Sequence, residues 1–184
     1  MSSISLVQQF EKLCNTPSDI YEHLNTLRTY AQGVKHVTEF GMRLGVSTVA
    51  LMVARPNVLI TYDIDKKEQE VAYLEEQSKI YGVDFRFKLE DTRTAVIEPT
   101  DILFIDTLHT YDQIKEELRN SEFVSKYIIF HDTVSFGYKG EMPDTNGIMP
   151  AILEFLGENK EWCIEKHYTN CNGLLILVRS GETK

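Results

Sequence analysis

An α/β fold, with a mostly parallel sheet covered by helices on both faces, follows from three features of the sequence. Short apolar runs alternate with helical patterns along the chain. Several of these runs end in acidic residues, and the last two are separated by a turn suited to a hairpin. Strand-helix alternation is the signature of β-α-β units, and right-handed crossovers leave few topologies open to them.

Residues 4–13 carry the first helical pattern. A second follows Pro17, with Ser18 or Asp19 as N-cap and Ile20, Leu24 and Leu27 on one apolar face, and Gly33 ends it. The strand patterns begin at 36–40 (HVTEF), which runs into Gly41. Residues 47–54 form a compact apolar helix, and 58–62 (VLITY) a second strand ending in Asp63. A long helix spans 66–80, with Val71, Leu74 and Ile80 at apolar positions and Gly82 after it. Strands at 85–89 and 101–105 (DILFI) end in Glu90-Asp91 and in Asp106. Residues 111–120 are helical, and 127–130 (YIIF) form a fifth strand ending in His131 and Asp132. Residues 133–146, rich in Gly, Pro, Asp and Asn, read as a loop, followed by a helix at 148–156. Strands at 162–168 and 174–178 close the chain, joined by the turn 169–173 (TNCNG). One domain, 1–184, is expected, with an N-terminal helical segment at 1–33 and the α/β core at 34–180.

Composition bounds the function. A chain of 184 residues can bury its own core, and 42% hydrophobic with 26% charged residues excludes a disordered chain. A net charge of −9 without any Lys/Arg run argues against nucleic acid as a main partner. Cys14, Cys163 and Cys171 stand far apart with no C-x-x-C pair, as expected of free thiols in a reducing cytoplasm. The first residues, MSSISLVQQFEKL, lack the basic start and apolar run of a signal peptide. No stretch approaches the ~18 apolar residues of a membrane span, so a cytoplasmic protein without a membrane partner is expected.

The polar residues carry the chemistry. In an open parallel sheet, ligands bind outside the carboxyl ends of the strands, so Asp63, Glu90, Asp91, Asp106 and Asp132 would share one rim. Any one of them could simply cap the next helix, but their joint placement beside a glycine loop favours a ligand site. That loop reads Glu39-Phe40-Gly41-Met42-Arg43-Leu44-Gly45-Val46-Ser47. Gly41 and Gly45 let the backbone turn and approach a ligand closely. The spacing is neither G-x-G-x-x-G nor a P-loop. Glu39 would repel phosphate but suit a cationic ligand, such as the sulfonium and ammonium of S-adenosylmethionine. Asp63 lies 24 residues after Glu39, about one β-α-β unit, where a carboxylate can accept both hydroxyls of a ribose. Asp65 is the weaker candidate for that place. Asp91 or Thr92 could accept from an adenine amino group.

The stretches VTEFGMRLGVST, ITYDID, FIDTLHTYDQI and IIFHDT, in this order and spacing, resemble the class I S-adenosylmethionine-dependent methyltransferases. They are most similar to the small branch related to the cephalosporin-hydroxylase and macrocin-type O-methyltransferases. The resemblance covers roughly residues 34–180. It implies a Rossmann-like seven-stranded sheet with an antiparallel last strand, in keeping with the terminal hairpin. It also implies that Glu39, Gly41 and Gly45 hold the methionine end of the cofactor, Asp63 the ribose and Asp91 the adenine; Ser47 and Thr92, beside them in the sequence, are further cofactor-binding candidates.

In metal-dependent relatives, a carboxylate after the fourth strand and an acidic or amide pair after the fifth bind a divalent cation, and Asp106 and Asp132 match these places. Mg²⁺ or Mn²⁺ there would orient an acceptor hydroxyl and lower its pKa. His131 departs from that pattern, since imidazole is a poor Mg²⁺ ligand. The metal-free alternative makes His109 or His131 the general base, with Asp106 as its partner. Both histidines could instead fix loops, as expected of the remote His23, His36 and His167. Tyr111 is expected to pack on the sheet. The loop 133–146, carrying Phe136, Tyr138, Lys139 and Glu141, is the expected lid over a polar, ring-containing acceptor.

The expected function is therefore O-methylation of a hydroxylated small molecule, a saccharide or natural product. The N-terminal helices would cover the cofactor or form the face of a homo-oligomer. Two rivals remain: a non-catalytic protein that binds S-adenosylmethionine or another nucleoside as a regulatory or assembly subunit, and a nicotinamide-dependent oxidoreductase. The Gly41/Gly45 spacing disfavours the second.

Overall fold

The computed structural model describes residues 4–181. Two helices come first, α1 (Leu6–Cys14) and α2 (Leu24–Ala31). Seven strands and four helices follow as β1 (His36–Phe40), α3 (Val46–Val53), β2 (Val58–Asp63), α4 (Glu68–Tyr81), β3 (Asp84–Leu89), β4 (Thr100–Ile105), α5 (Tyr111–Glu117), β5 (Val124–His131), α6 (Ile148–Glu158), β6 (Trp162–Tyr168) and β7 (Leu174–Arg179). The sheet order is β3-β2-β1-β4-β5-β7-β6. All pairings from β3 to β5 are parallel, and β7 runs antiparallel to both β5 and β6. This is the Rossmann-like sheet with an antiparallel last strand that the sequence implied.

The strands bury alternate residues in two layers, because successive side chains leave a strand on opposite faces. Ile102 and Phe104 of β4 and Leu174 and Ile176 of β7 join one core, with Leu6, Leu24, Leu27, Val49, Leu51, Val71 and Leu74 from the first four helices. Leu103, Ile105, Leu175 and Leu177 join the other, with Ile114 of α5 and Ile148, Ile152 and Phe155 of α6. The N-terminal helices thus share the core of the sheet.

Strand order reverses between β1 and β4, which opens a crevice at the carboxyl ends of these two strands. Gly41 leaves β1 and Asp106 leaves β4 at this switch point.

Several local readings are corrected. Neither Ser18 nor Asp19 caps the second helix; a 3₁₀ turn at Tyr21–His23 leads into α2, and its start takes no side-chain cap. Residues 15–20 instead form a strap by the carboxyl ends of the central strands, where the Asp19 carbonyl lies 3.1 Å from His131 Nε2 and Ser18, Asp19 and Ile20 line the crevice. The fifth strand starts at Val124 rather than at 127, because Thr100 pairs with Val124 beyond the apolar run. The helix at 111–120 is α-helical only to Glu117 and tightens into a 3₁₀ turn at Leu118–Phe123. Residues 133–146 are ordered by backbone bonds, among them Glu141 N–H to the His109 carbonyl at 3.1 Å and Gly147 N–H to the Tyr138 carbonyl at 3.1 Å.

Candidate active site

A cleft of about 940 Å³ runs along the carboxyl ends of β1, β2, β3 and β4. Its two ends differ in chemistry.

At one end lies the glycine loop. Gly41 has φ +89° and Gly45 φ +73°, and even Arg43 between them is left-handed at φ +49°. Such a turn exposes consecutive N–H groups, and Asp63 collects them. Met42 and Arg43 donate their backbone N–H groups to Asp63 Oδ2 at 2.9 and 2.8 Å, while Asp65 N–H donates to Oδ1 at 2.9 Å. Asp63 therefore holds the loop while still facing the cleft. Ser47, Thr92 and Asp91 line the same cleft. The guanidinium of Arg93 donates to Asp91 Oδ2 at 2.6 Å, and this pair holds the Asp91 carboxyl below its usual range.

Glu39 and Gly45, expected beside the cofactor, do not line the cleft. Glu39 is fully buried beneath the loop, where the hydroxyls of Ser47, Thr48 and Thr61 donate to its two oxygens at 2.5, 2.7 and 2.8 Å. Burial pushes its carboxyl up to about 7, against the lowering effect of these three hydroxyls. A raised carboxyl favours the folded state most below pH 4.5 and loses that contribution as pH climbs through 7. Glu39→Gln is thus expected to remove a pH-dependent loss of stability of up to about 3 kcal/mol between acid and neutral pH. Urea denaturation of both proteins at pH 5 and pH 8 measures it; parallel losses in the two would refute the assignment.

At the other end, Asp106, His109 and Asp132 converge, with one ligand atom from each within 4.8 Å of the others. His109 Nε2 lies 3.2 Å from Asp106 Oδ1 and 3.1 Å from Asp132 Oδ2. Its Nδ1 faces Glu141 Oε2 at 3.0 Å, and its ring stacks on Phe136 with centroids 5.0 Å apart. Asp132 has φ +60°, and its buried Oδ1 has no hydrogen-bond partner among the described residues. Burial alone would lower His109 and raise Asp106. The hydrogen bond and charge attraction between them reverse both, raising the imidazole and holding the carboxyl well below its usual range.

His131, expected as an alternative general base, has a different place. It is 1% exposed, does not line the cleft, and touches acceptors with both nitrogens. Nδ1 lies 3.2 Å from Asp106 Oδ1, and Nε2 lies 3.1 Å from the Asp19 carbonyl. A ring between two acceptors must carry both protons. Its value rises to about 10 despite burial, through hydrogen bonds to Asp106 and Asp132. This imidazolium anchors Asp106 and the strap, and it has no free nitrogen with which to take a proton.

Of the expected lid residues, Phe136 and Glu141 line the cleft, whereas Tyr138 and Lys139 do not. Tyr111 hydrogen-bonds Glu154 and packs against the core formed with α6. His23, His36 and His167 bond the Asn170 carbonyl, the Pro99 carbonyl and the Thr133 hydroxyl, respectively, outside the cleft. The strap residues Ser18, Asp19 and Ile20 line the cleft unforeseen, and Asp19 pairs with Arg43 of the loop at 2.8 Å. Glu117 is a further unforeseen member, buried behind the wall formed by Thr92, Thr107 and Gln113. Nothing in the pattern KEEL separates it from an exposed helix glutamate.

The sheet order, the switch-point cleft and the glycine loop define the fold of the class I S-adenosylmethionine-dependent methyltransferases. Among solved structures, the chain is similar to the O-methyltransferase TomG from Streptomyces achromogenes, involved in tomaymycin synthesis and solved with S-adenosylmethionine. That match has a TM-score of 0.66 at 13% identity, over 98% of this chain and 92% of the other. An O-methyltransferase from Bacillus cereus, solved with S-adenosylhomocysteine, gives a TM-score of 0.65 at 16% identity over 98% and 93%. The N-methyltransferase NodS from Bradyrhizobium japonicum gives 0.64 at 14% over 97% and 100%. No family model matches the sequence, and no curated protein matches it at the sequence level. Among the described residues, no helix is long and apolar enough to cross a membrane.

Proposed function

We propose that this protein transfers a methyl group from S-adenosylmethionine to a hydroxyl oxygen of a small molecule, a saccharide or a related natural product. The observation that carries this reading is the convergence of Asp106, His109 and Asp132 across the cleft from the glycine loop and Asp63. When bound, S-adenosylmethionine supplies a methyl group on an electrophilic sulfonium, so the protein's task is largely alignment. Gly41, Met42 and Ser47 would receive the methionine end, Asp63 the ribose, and Asp91 with Thr92 the adenine. Glu39 and Gly45 would shape the loop from behind.

On the acceptor side, His109 lines the cleft, and only its neutral form, reached when Nε2 gives up the proton it directs at Asp106 and Asp132, would take the hydroxyl proton. Glu141 holds its Nδ1 edge and Phe136 its face, which directs Nε2 toward Asp106 and Asp132. The donor set fits a divalent cation: two carboxylates, one imidazole and a buried oxygen of Asp132 without a partner. In the alternative, metal-bound reading, Asp106 and Asp132 with a neutral His109 Nε2 would hold such an ion, His109 would be a ligand rather than the base, and an imidazole among the ligands favours Mn²⁺ over Mg²⁺. The comparisons give no support to the oxidoreductase or to the non-catalytic reading.

Calorimetric titration with S-adenosylhomocysteine, with and without Mg²⁺ or Mn²⁺, tests the reading. Micromolar binding is expected. Asp63→Ala should weaken it by about 10- to 100-fold, the loss expected from ~1–3 kcal/mol of charge-assisted hydrogen bonds. Absence of binding by the unaltered protein in every condition would end the proposal.

A further inference from the structure

The charges of the cleft do not cancel, and the remainder lies at the acceptor end. Apart from His109, three cationic side chains among the described residues line the cleft, and each is already paired: Arg43 with Asp19 at 2.8 Å, Lys67 with Asp65 at 2.5 Å and Arg93 with Asp91 at 2.6 Å. Asp63 is left to offset the single net positive charge of S-adenosylmethionine. At the other end, three carboxylates, Asp106, Asp132 and Glu141, face two imidazoles, His109 and His131. One negative charge stays uncompensated there even with both imidazoles protonated, and a second appears when His109 is neutral. The buried carboxyls of Glu39 and Glu117 can only add to it.

Two carboxylate oxygens at this end have no donor. Asp132, with its side chain 7% exposed, lines the cleft, and its buried Oδ1 has no hydrogen-bond partner among the described residues. Glu141 lines the cleft with its side chain 44% exposed. Its Oε2 accepts from the His109 backbone N–H at 3.3 Å and faces His109 Nδ1 at 3.0 Å, which leaves Oε1 without a hydrogen bond from the described residues. Asp132 Oδ1 is enclosed, so Glu141 is the carboxylate that a ligand can meet without displacing neighbours. Leu108, 41% exposed, and Phe136, stacked on His109, give the same end apolar surface.

We propose that the acceptor carries an ammonium group and no acid group, and that Glu141 takes this ammonium at the mouth of the cleft beside His109. The inference rests on the methyltransferase reading above and names the class of acceptor for that site. An organic ammonium brings both the missing charge and a carbon frame for the apolar surface. A carboxylate or phosphate on the acceptor would meet like charge with no free cation to receive it, which is how charged clefts exclude wrong partners. A divalent ion would go to Asp106, His109 and Asp132, a set that leaves Glu141 out.

The experiment measures binding of matched hydroxylated probes to the complex with S-adenosylhomocysteine, in EDTA at low salt. One set is glucosamine, N-acetylglucosamine and glucuronate; the other is tyramine, 4-ethylphenol and 4-hydroxyphenylacetate. In at least one set the amine should bind about tenfold or more tighter than the neutral probe, as expected of a charge-assisted hydrogen bond, and the acid most weakly. The gap should narrow as salt is added. Glu141→Gln keeps an oxygen for His109 Nδ1 but removes the charge, and the preference should fall below about threefold with cofactor affinity unchanged. Glu158→Gln, on the exposed end of α6 and outside the cleft, controls for the general pull of an acidic protein on amines and should keep the full preference. No preference for the amine in either set, or a preference that survives Glu141→Gln or is lost in Glu158→Gln, would overturn the inference and leave the cofactor reading intact. If the unaltered protein does not bind S-adenosylhomocysteine, the cofactor reading fails and the inference falls with it.

Discussion

Replacing Asp106 by asparagine is expected to lower turnover by about 10³-fold, within the range of a lost acid-base partner, with little change in the affinity for S-adenosylhomocysteine. The carboxylate is partly buried and is shared by two imidazoles, His109 Nε2 at 3.2 Å and His131 Nδ1 at 3.2 Å. Asparagine keeps the shape but removes the charge that orients both rings. His131 would then lean on Asp132 alone, and His109 would lose the partner that raises it above an ordinary imidazole. The backbone of Asp106 is untouched, so its N–H keeps its bond to the Phe40 carbonyl at 2.9 Å and the crevice keeps its shape. Steady-state kinetics on an identified acceptor, together with calorimetry, separate the two effects. Full turnover in the variant would remove Asp106 from the chemistry, and a parallel loss of cofactor affinity would make it a binding residue.

Gly41→Ala is expected to abolish cofactor binding and to destabilise the fold by about 3 kcal/mol, the sum of a left-handed backbone penalty and an overpacked contact. An added Cβ would lie 2.0 Å from the carbonyl oxygen of Asp106 and 2.8 Å from its carbonyl carbon, at φ +89°. Neither neighbour is a movable side-chain tip. The loop after β1 and the end of β4 would have to separate, and these two form the walls of the switch point. Gly82 supplies the control. It is also left-handed, at φ +70°, but a Cβ there meets nothing within 4 Å. Gly82→Ala should cost only about 1–2 kcal/mol and leave binding unchanged. Urea denaturation and calorimetry on both variants check this, and a Gly41→Ala protein that binds normally would contradict the close approach.

Much of the architecture was legible because burial writes itself into local pattern. The run DILFI announces a strand buried on both faces, and Ile102 and Phe104 do enter one core while Leu103 and Ile105 enter the other. The grouping of Asp63, Asp106 and Asp132 was legible too, since parallel strands place their carboxyl ends on one rim. The errors lie where a residue's partner is remote in sequence. Asp19 reads as a cap for the helix after it, yet its carbonyl meets His131, 112 residues away, and its carboxylate meets Arg43. No spacing rule carries such a contact.

The sequence by itself determined the fold class, the places of most strands and helices, the glycine turn and the set of acidic strand ends. Each of these depends on periodicity or on backbone freedom, which are properties of neighbouring residues. Only the tertiary structure decided the role of each polar side chain. Glu39 and Glu117 look like ordinary glutamates in one dimension, but each is enclosed by hydroxyl or amide donors from separate segments. His109 and His131 look alike beside their aspartates, but His109 lines the cleft, whereas His131 is buried between Asp106 and the Asp19 carbonyl. A polar group's chemistry follows from its partners and its access to solvent, and folding assigns both from distant parts of the chain.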